Sequence, residues 1–201
     1  MKRRHAPAAG IALALVFGSA SAGNDYDYCL LCHGTDANGN YGIRAPKLSG
    51  MEPWYLARQL ENFASGARGM PADDAPGHEM GPVGLRLKQE GAIDSAVQFI
   101  GKLESKRPAP TVSGDVAHGK ELYKNCAGCH GAKGEGNPAL QSPALAARSD
   151  WYLVTQLTHY QKGLRGADER DTYGAQMRAI VATLPDEKAI TDVVAYINTL
   201  K

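Results

Sequence analysis

Two stretches of this 201-residue chain set reactive residues at a telling spacing: Cys29-Leu-Leu-Cys32-His33 and Cys126-Ala-Gly-Cys129-His130. In such a C-x-x-C-H run, two thiols add to the two vinyl groups of one porphyrin. The next residue, an imidazole, then reaches the iron as its proximal ligand. This reading makes Cys29, Cys32, Cys126 and Cys129 covalent haem attachment points, with His33 and His130 as axial ligands. The runs use all four cysteines of the chain, so none is left for a disulfide. Two alternatives use the same residue types. A structural zinc site needs cysteine and histidine pairs converging on one tetrahedral centre. A redox dithiol has no use for the fixed histidine that follows.

The two runs lie 97 residues apart, and that register holds along the chain. Tyr26, Gly39, Asn40, Pro46 and Leu48 match Tyr123, Gly136, Asn137, Pro143 and Leu145. Trp54-Tyr55-Leu56 and Gln59-Leu60 match Trp151-Tyr152-Leu153 and Gln156-Leu157, and Gly66, Arg68 and Gly69 match Gly163, Arg165 and Gly166. A repeat of this length is one structural unit written twice. The expected division is a signal peptide at 1–22, one domain at 23–104, a linker at 105–115 and a second domain at 116–201. Pro108 and Pro110 stiffen the linker into an extended path.

The register also selects the sixth ligands. Met177 is the one methionine after the second motif, and its partner 97 residues earlier is Met80. Met51 and Met70 pair instead with Arg148 and Ala167. A thioether opposite a histidine is an established haem ligation, so Met80 and Met177 are expected on the irons. His78, two residues before Met80, is a competing imidazole. Pro46 and Pro143 each follow a motif histidine by thirteen residues. Their carbonyls are candidates to accept the second imidazole N–H, although a plain turn proline explains them too. Arg68, Arg165, Trp54 and Trp151 are candidate donors to haem propionates. His159 is expected to have a surface or core role, and His118 to face solvent.

The elements that must carry these residues read as helices, and no alternating strand pattern is present. Ile93, Ala96, Val97, Ile100 and Leu103 recur at helical spacing, as do Ile190, Val193, Val194, Ile197 and Leu200. Pro53 suits the first turn of a helix, and Ser149-Asp150 offers N-cap chemistry at the matching boundary. Each unit is under 100 residues and buries little by itself, so the haem must supply much of its core.

The first residues read as an export signal. Met1-Lys2-Arg3-Arg4 precedes an apolar run from Ala8 to Phe17 and then Ala20-Ser21-Ala22. The run is short for a bilayer span, with an uncleaved anchor as the alternative. Removing three lysine and arginine residues takes the formal charge from +1 to −2. That excludes the strongly basic face of a nucleic-acid binder. Export to the periplasm fits haem attachment, which occurs outside the cytoplasm.

With these residues the chain resembles the dihaem cytochrome c4 family. The likeness rests on Cys29/Cys32/His33 with Met80, Cys126/Cys129/His130 with Met177, and the repeated Pro-x-Leu and Trp-Tyr-Leu-x-x-Gln-Leu segments. It implies an all-α protein of two tandem class I cytochrome c domains related by a pseudo-twofold axis, each a small helical domain around a covalent haem c. It also implies a periplasmic carrier of single electrons. The donor would be a quinol–cytochrome c reductase or a dehydrogenase, and the acceptor a terminal oxidase. Membrane-surface association stays open. Asp171-Thr-Tyr-Gly-Ala-Gln-Met177 resembles cytochrome domains found with haem–copper oxidases. The alternative is a sulfur-compound dehydrogenase or peroxidase, or its electron-transfer subunit. One departure stands out. The opening helix of the second unit, with Val116, Gly119, Leu122 and Tyr123, has its glycine at a position whose partner is Ala22. Cleavage there removes most of the first unit's opening helix, so its haem is expected to be more exposed and its potential different.

Overall fold

The computed structural model describes residues 26–201, and the stretch read as a signal peptide lies outside them. Helices form α1 (Tyr28–His33), α2 (Pro53–Ser65), α3 (Ala75–Gln89), α4 (Ile93–Gly101), α5 (Val116–His130), α6 (Asp150–Gln161), α7 (Thr172–Val181) and α8 (Glu187–Ile197). Among the described residues there are no strands, only isolated bridges at Asn40–Ala45 and Asn137–Ser142. These bridges are themselves partners in the 97-residue register. So are the starts of α2 and α6, and of α3 and α7.

The expected apolar faces point inward. Ile190, Val193, Val194, Ile197 and Leu200 are buried with Tyr123, Tyr160 and Val181. Ile93, Ala96, Val97 and Ile100 are buried with Leu56 and Leu87. Helices of nine to thirteen residues are marginal alone, so burial of these faces holds them. Pro53 does open α2 at its first turn.

The expected cap at α6 takes a different form. Ser149 caps by position without a side-chain hydrogen bond. Asp150 instead accepts from the Thr111 and Val112 amides at 2.5 and 2.8 Å, the Thr111 hydroxyl at 2.7 Å and the Asn198 amide at 3.0 Å. Asp150 also accepts from the Trp151 amide at 2.7 Å, so one carboxylate serves the start of α6 and the linker together. The linker is strapped at its other end too: Lys106 N–H donates to Asn38 Oδ1 at 2.9 Å. The Lys47 ammonium donates to Ser105 Oγ at 2.7 Å. The 105–115 segment is therefore extended but held to both halves.

Among the described residues α5 has fifteen residues and α1 six; the expected cleavage at Ala22 lies outside the described residues. In the second half α5 crosses α8 at Gly119, where a Cβ would lie 1.9 Å from the Asp192 carbonyl oxygen. Asp192 is buried and accepts from Asp115 N–H at 2.8 Å, Lys188 Nζ at 2.6 Å and His118 Nδ1 at 2.7 Å. Bonds from His118 and Lys188 outweigh desolvation and hold its carboxyl well below the ordinary value. His118 is exposed, as expected, and its ring is also engaged by Asp192. A Gly119→Ala variant should push α5 off α8 and destabilise the second half by about 1–3 kcal/mol, read as a lowered denaturant midpoint. An unchanged midpoint would mean the crossing relaxes at no cost.

Candidate functional site

Both motif histidines close a helix and are buried. A short reverse loop then returns the chain beneath each ring. Gly39 N–H donates to the His33 carbonyl at 2.7 Å, and Gly136 N–H to that of His130 at 2.8 Å. That turn brings the two prolines into place: His33 Nδ1 lies 2.7 Å from the Pro46 carbonyl, and His130 Nδ1 lies 2.7 Å from the Pro143 carbonyl. A carbonyl can only accept, so Nδ1 carries the proton and Nε2 is left with its lone pair for a metal. Burial pushes both imidazoles below their ordinary value, against the opposing pull of the proline carbonyls. Neutral rings with free Nε2 atoms are the form that binds iron.

In the second half, Met177 is half-buried on α7, whose N-terminus is capped by Asp171 accepting from Gly174 N–H at 3.0 Å. Its Sδ lies 3.4 Å from His130 Nε2. The two aim at each other inside one cavity that Cys126, Cys129, Leu122, Leu153 and Ile197 also line. Met80 occupies the matching place on α3, half-buried, with Asp74 capping through Gly77 N–H at 3.1 Å. His78 is exposed on the same helix.

The cavity's walls identify what it fits. Its lining joins apolar side chains with Arg58, Arg148 and Arg165, and with Tyr55 and Gln59 from the first half. The Nε atoms of Arg58, Arg68 and Arg165 are buried without a protein partner. Buried guanidinium groups with idle donors want anions. A flat apolar macrocycle with two carboxylates at one edge meets both demands. The alternative chemistries fit less well. Burial, reinforced by Cys129, pushes the Cys126 thiol up to about 11, far from the activated thiolate of a redox dithiol. Among the described residues no three His, Cys, Asp or Glu side chains converge on one point, as a zinc centre would require.

Arg68 and Arg165 are placed more specifically than the repeat suggests. They lie between the two halves in a reciprocal network. Arg68 donates to Gln59 at 2.7 Å within its own half, and to Tyr152 and Gln156 of the other half at 2.8 and 2.9 Å. Arg165 donates to Gln156 at 2.7 Å, and across to Tyr55 and Gln59 at 3.1 and 2.8 Å. Burial would raise the Tyr55 phenol, but Arg165, Arg68 and Arg58 outweigh it and hold the group below its ordinary value.

Two glycines per half make this placement possible. Gly66 closes α2 in the left-handed region, and Gly69 and Gly166 let the loop touch the next helix. A Cβ at either would lie 2.4 or 2.3 Å from a glycine carbonyl. The indoles of Trp54 and Trp151 are half-buried, each edge-on to the neighbouring Tyr55 or Tyr152 ring at 6.0 and 5.9 Å. Trp151 also meets Tyr41 of the first half at 5.5 Å. Tyr55, Tyr152, Gln59 and Gln156 were visible only as repeated letters; their doubled pattern was the signal for a shared role.

Comparison with known proteins agrees with this geometry. The cytochrome c family model matches residues 116–201. A Stutzerimonas stutzeri protein described as a thiosulfate dehydrogenase electron acceptor is 33% identical over 200 residues, covering 90% of this chain and 90% of that one. Cytochrome c4 of Pseudomonas aeruginosa is 30% identical over 199 residues, covering 94% and 92%. The solved cytochrome c4 of Acidithiobacillus ferrooxidans superposes with a TM-score of 0.67 at 24% identity, covering 86% of this chain and 98% of that one.

The facing ligand pair yields a spectroscopic expectation. Met177→Ala and Met80→Ala should each remove the methionine-to-ferric charge-transfer absorbance of one haem. An unchanged spectrum would exclude the residue tested. Tyr152→Phe, which strips Arg68 of a buried acceptor, should cost about 1–3 kcal/mol in a denaturant titration; no loss would show that the network carries no stability.

Proposed function

The chain belongs to the cytochrome c4 family, a dihaem electron-transfer cytochrome with two covalent haem c groups, and we propose that its two halves form one periplasmic relay for single electrons. The observation that carries this reading is the His130–Met177 pair, aimed nitrogen to sulfur in an apolar cavity. A haem held between this imidazole and this thioether would have both iron positions met by protein side chains, which favours electron transfer over substrate chemistry. The haem supplies the one-electron couple, and the protein sets its potential through axial ligands, burial and nearby charge. The ligand set is His33 and Met80 in domain 23–104, and His130 and Met177 in domain 116–201. The thiols of Cys29, Cys32, Cys126 and Cys129 form the thioether bonds. Pro46 and Pro143 hold the proximal rings, and Arg58, Arg68 and Arg165 direct idle N–H donors towards propionates.

The likeness to a thiosulfate dehydrogenase electron acceptor favours a dehydrogenase as donor. A terminal oxidase is the proposed acceptor. No helix among the described residues is long and apolar enough to cross a membrane, which suits a carrier that docks transiently through surface complementarity. The six-residue α1, against the fifteen of α5, supports a more exposed first haem with its own potential.

A redox titration of the purified holoprotein should resolve two one-electron steps, and carbon monoxide or cyanide should bind slowly at both haems. Fast binding at either would overturn the carrier reading in favour of a catalytic site with an open iron.

A further inference from the structure

The interface holds one histidine that the repeat does not duplicate. His159, on α6 of the second half, faces Asp74 of the first half, with Nδ1 3.6 Å from Oδ1. Both side chains are largely buried, at 13% and 7% exposure. The Nδ1 atom has no hydrogen-bond partner. At the repeat-related positions stand Asn62 and Asp171, so an amide replaces the imidazole on the other side of the pseudo-twofold.

Asp74 is not a free carboxylate. It accepts from Gly77 N–H at 3.1 Å and caps α3, the helix that carries Met80. The groups around the imidazole come from every neighbouring segment. Asp74 precedes α3, Arg68 follows α2, Arg165 follows α6, and Lys162 ends its own helix. Burial pushes the His159 imidazole below its ordinary value; Asp74 opposes that shift, and Arg68, Arg165 and Lys162 add to it. On balance the ring holds a proton less readily than a free imidazole does.

We propose that His159 and Asp74 form a redox-linked proton-binding site, so that the chain carries a proton together with the electron held in its first half. When a donor delivers one electron to the first haem, the positive charge there falls by one. A proton from solvent then binds more tightly at His159 Nδ1, completing an N–H to Asp74 across the interface. Oxidation by the acceptor releases the electron to that partner and the proton to solvent. Coupling is reciprocal by linkage: whatever reduction does to proton affinity, protonation does to electron affinity. The sign is fixed. Proton affinity is higher in the reduced state, so the potential falls as pH rises through the His159 titration and is flat above it. Asp74 ties this site to the first haem, because the helix it caps bears the ligand of that iron. The assignment rests on Met80 as that ligand.

The magnitude follows from one unit of charge acting across protein at long range, which changes proton affinity about threefold. At 59 mV per tenfold for one electron, that is a change of about 28 mV. Two measurements on the holoprotein test it. The His159 ring signals, followed by NMR from about pH 5 to pH 8, should titrate about half a pH unit higher in the fully reduced protein than in the fully oxidised one. Identical curves in the two redox states would overturn the proposal without any variant. In parallel, His159→Asn copies the residue of the matching position, 62. It should abolish the acid rise of one midpoint potential and leave the other potential unchanged. The same rise in wild type and variant, or loss of the rise at both haems, would overturn the proposal. Failure of the Met80 assignment is separately visible: Met80→Ala would then keep its charge-transfer band while the His159 titration stayed as it was.

Discussion

Two guanidinium groups buried in one interface, each bonded mainly to neutral partners of both halves, set the terms for the rest of this molecule. Burying a charge is costly unless its donors are satisfied. Arg68 and Arg165 meet the requirement by exchange, since each takes an acceptor from its own half and two from the other. Neither half can satisfy its own arginine alone. The halves are consequently not two beads on a string; each completes the electrostatics of the other. The remaining idle Nε donors are what a pair of haems, with their carboxylates, would answer. A bound cofactor would thus answer to the interface as well as to the separate cores.

Much of this was legible because duplication turns isolated letters into matched positions. The C-x-x-C-H runs, the choice of Met177 and Met80, the proline carbonyls thirteen residues on and the helical core faces all follow from local spacing or from the 97-residue register. What was not legible is what depends on partners far apart in sequence. Nothing near Asp150 says that its carboxylate, besides meeting the Trp151 amide at the start of α6, will also take the Thr111 and Val112 amides. Nothing near Arg68 says that it will reach Tyr152 and Gln156. In both cases the local preference is real, and a further set of donors or acceptors arrives through tertiary structure.

The two halves also differ, and the differences fall where chemistry is done. The second half has a long opening helix crossing α8 at Gly119; α1 is less than half as long. Lys47, buried and paired with Ser49 and Ser105, stands where the second half has Ala144. Burial, aided by Arg148, pushes its ammonium down to about 8. Arg58, over the Trp54, Tyr55 and Tyr173 rings, stands opposite Thr155. Each change gives one half a charge that the matching position of the other half lacks. Two irons with the same ligand types acquire different potentials by such means.

An unequal pair is what directional transfer requires. If both sites had the same potential, an electron arriving at either would have no preferred exit. The shared frame, with its repeated Tyr, Gln, Arg and Gly positions, fixes how the two halves meet. The unshared residues, Lys47, Arg58 and His159 among them, would bias the energy between two bound haems. The first set must stay paired, because each half supplies acceptors to the other. The second set is free to diverge, because none of its members has a repeat-related partner to keep in step. A duplicated fold therefore separates rigidity from tuning, and the substitution at His159 is the point where tuning also acquires a dependence on protons.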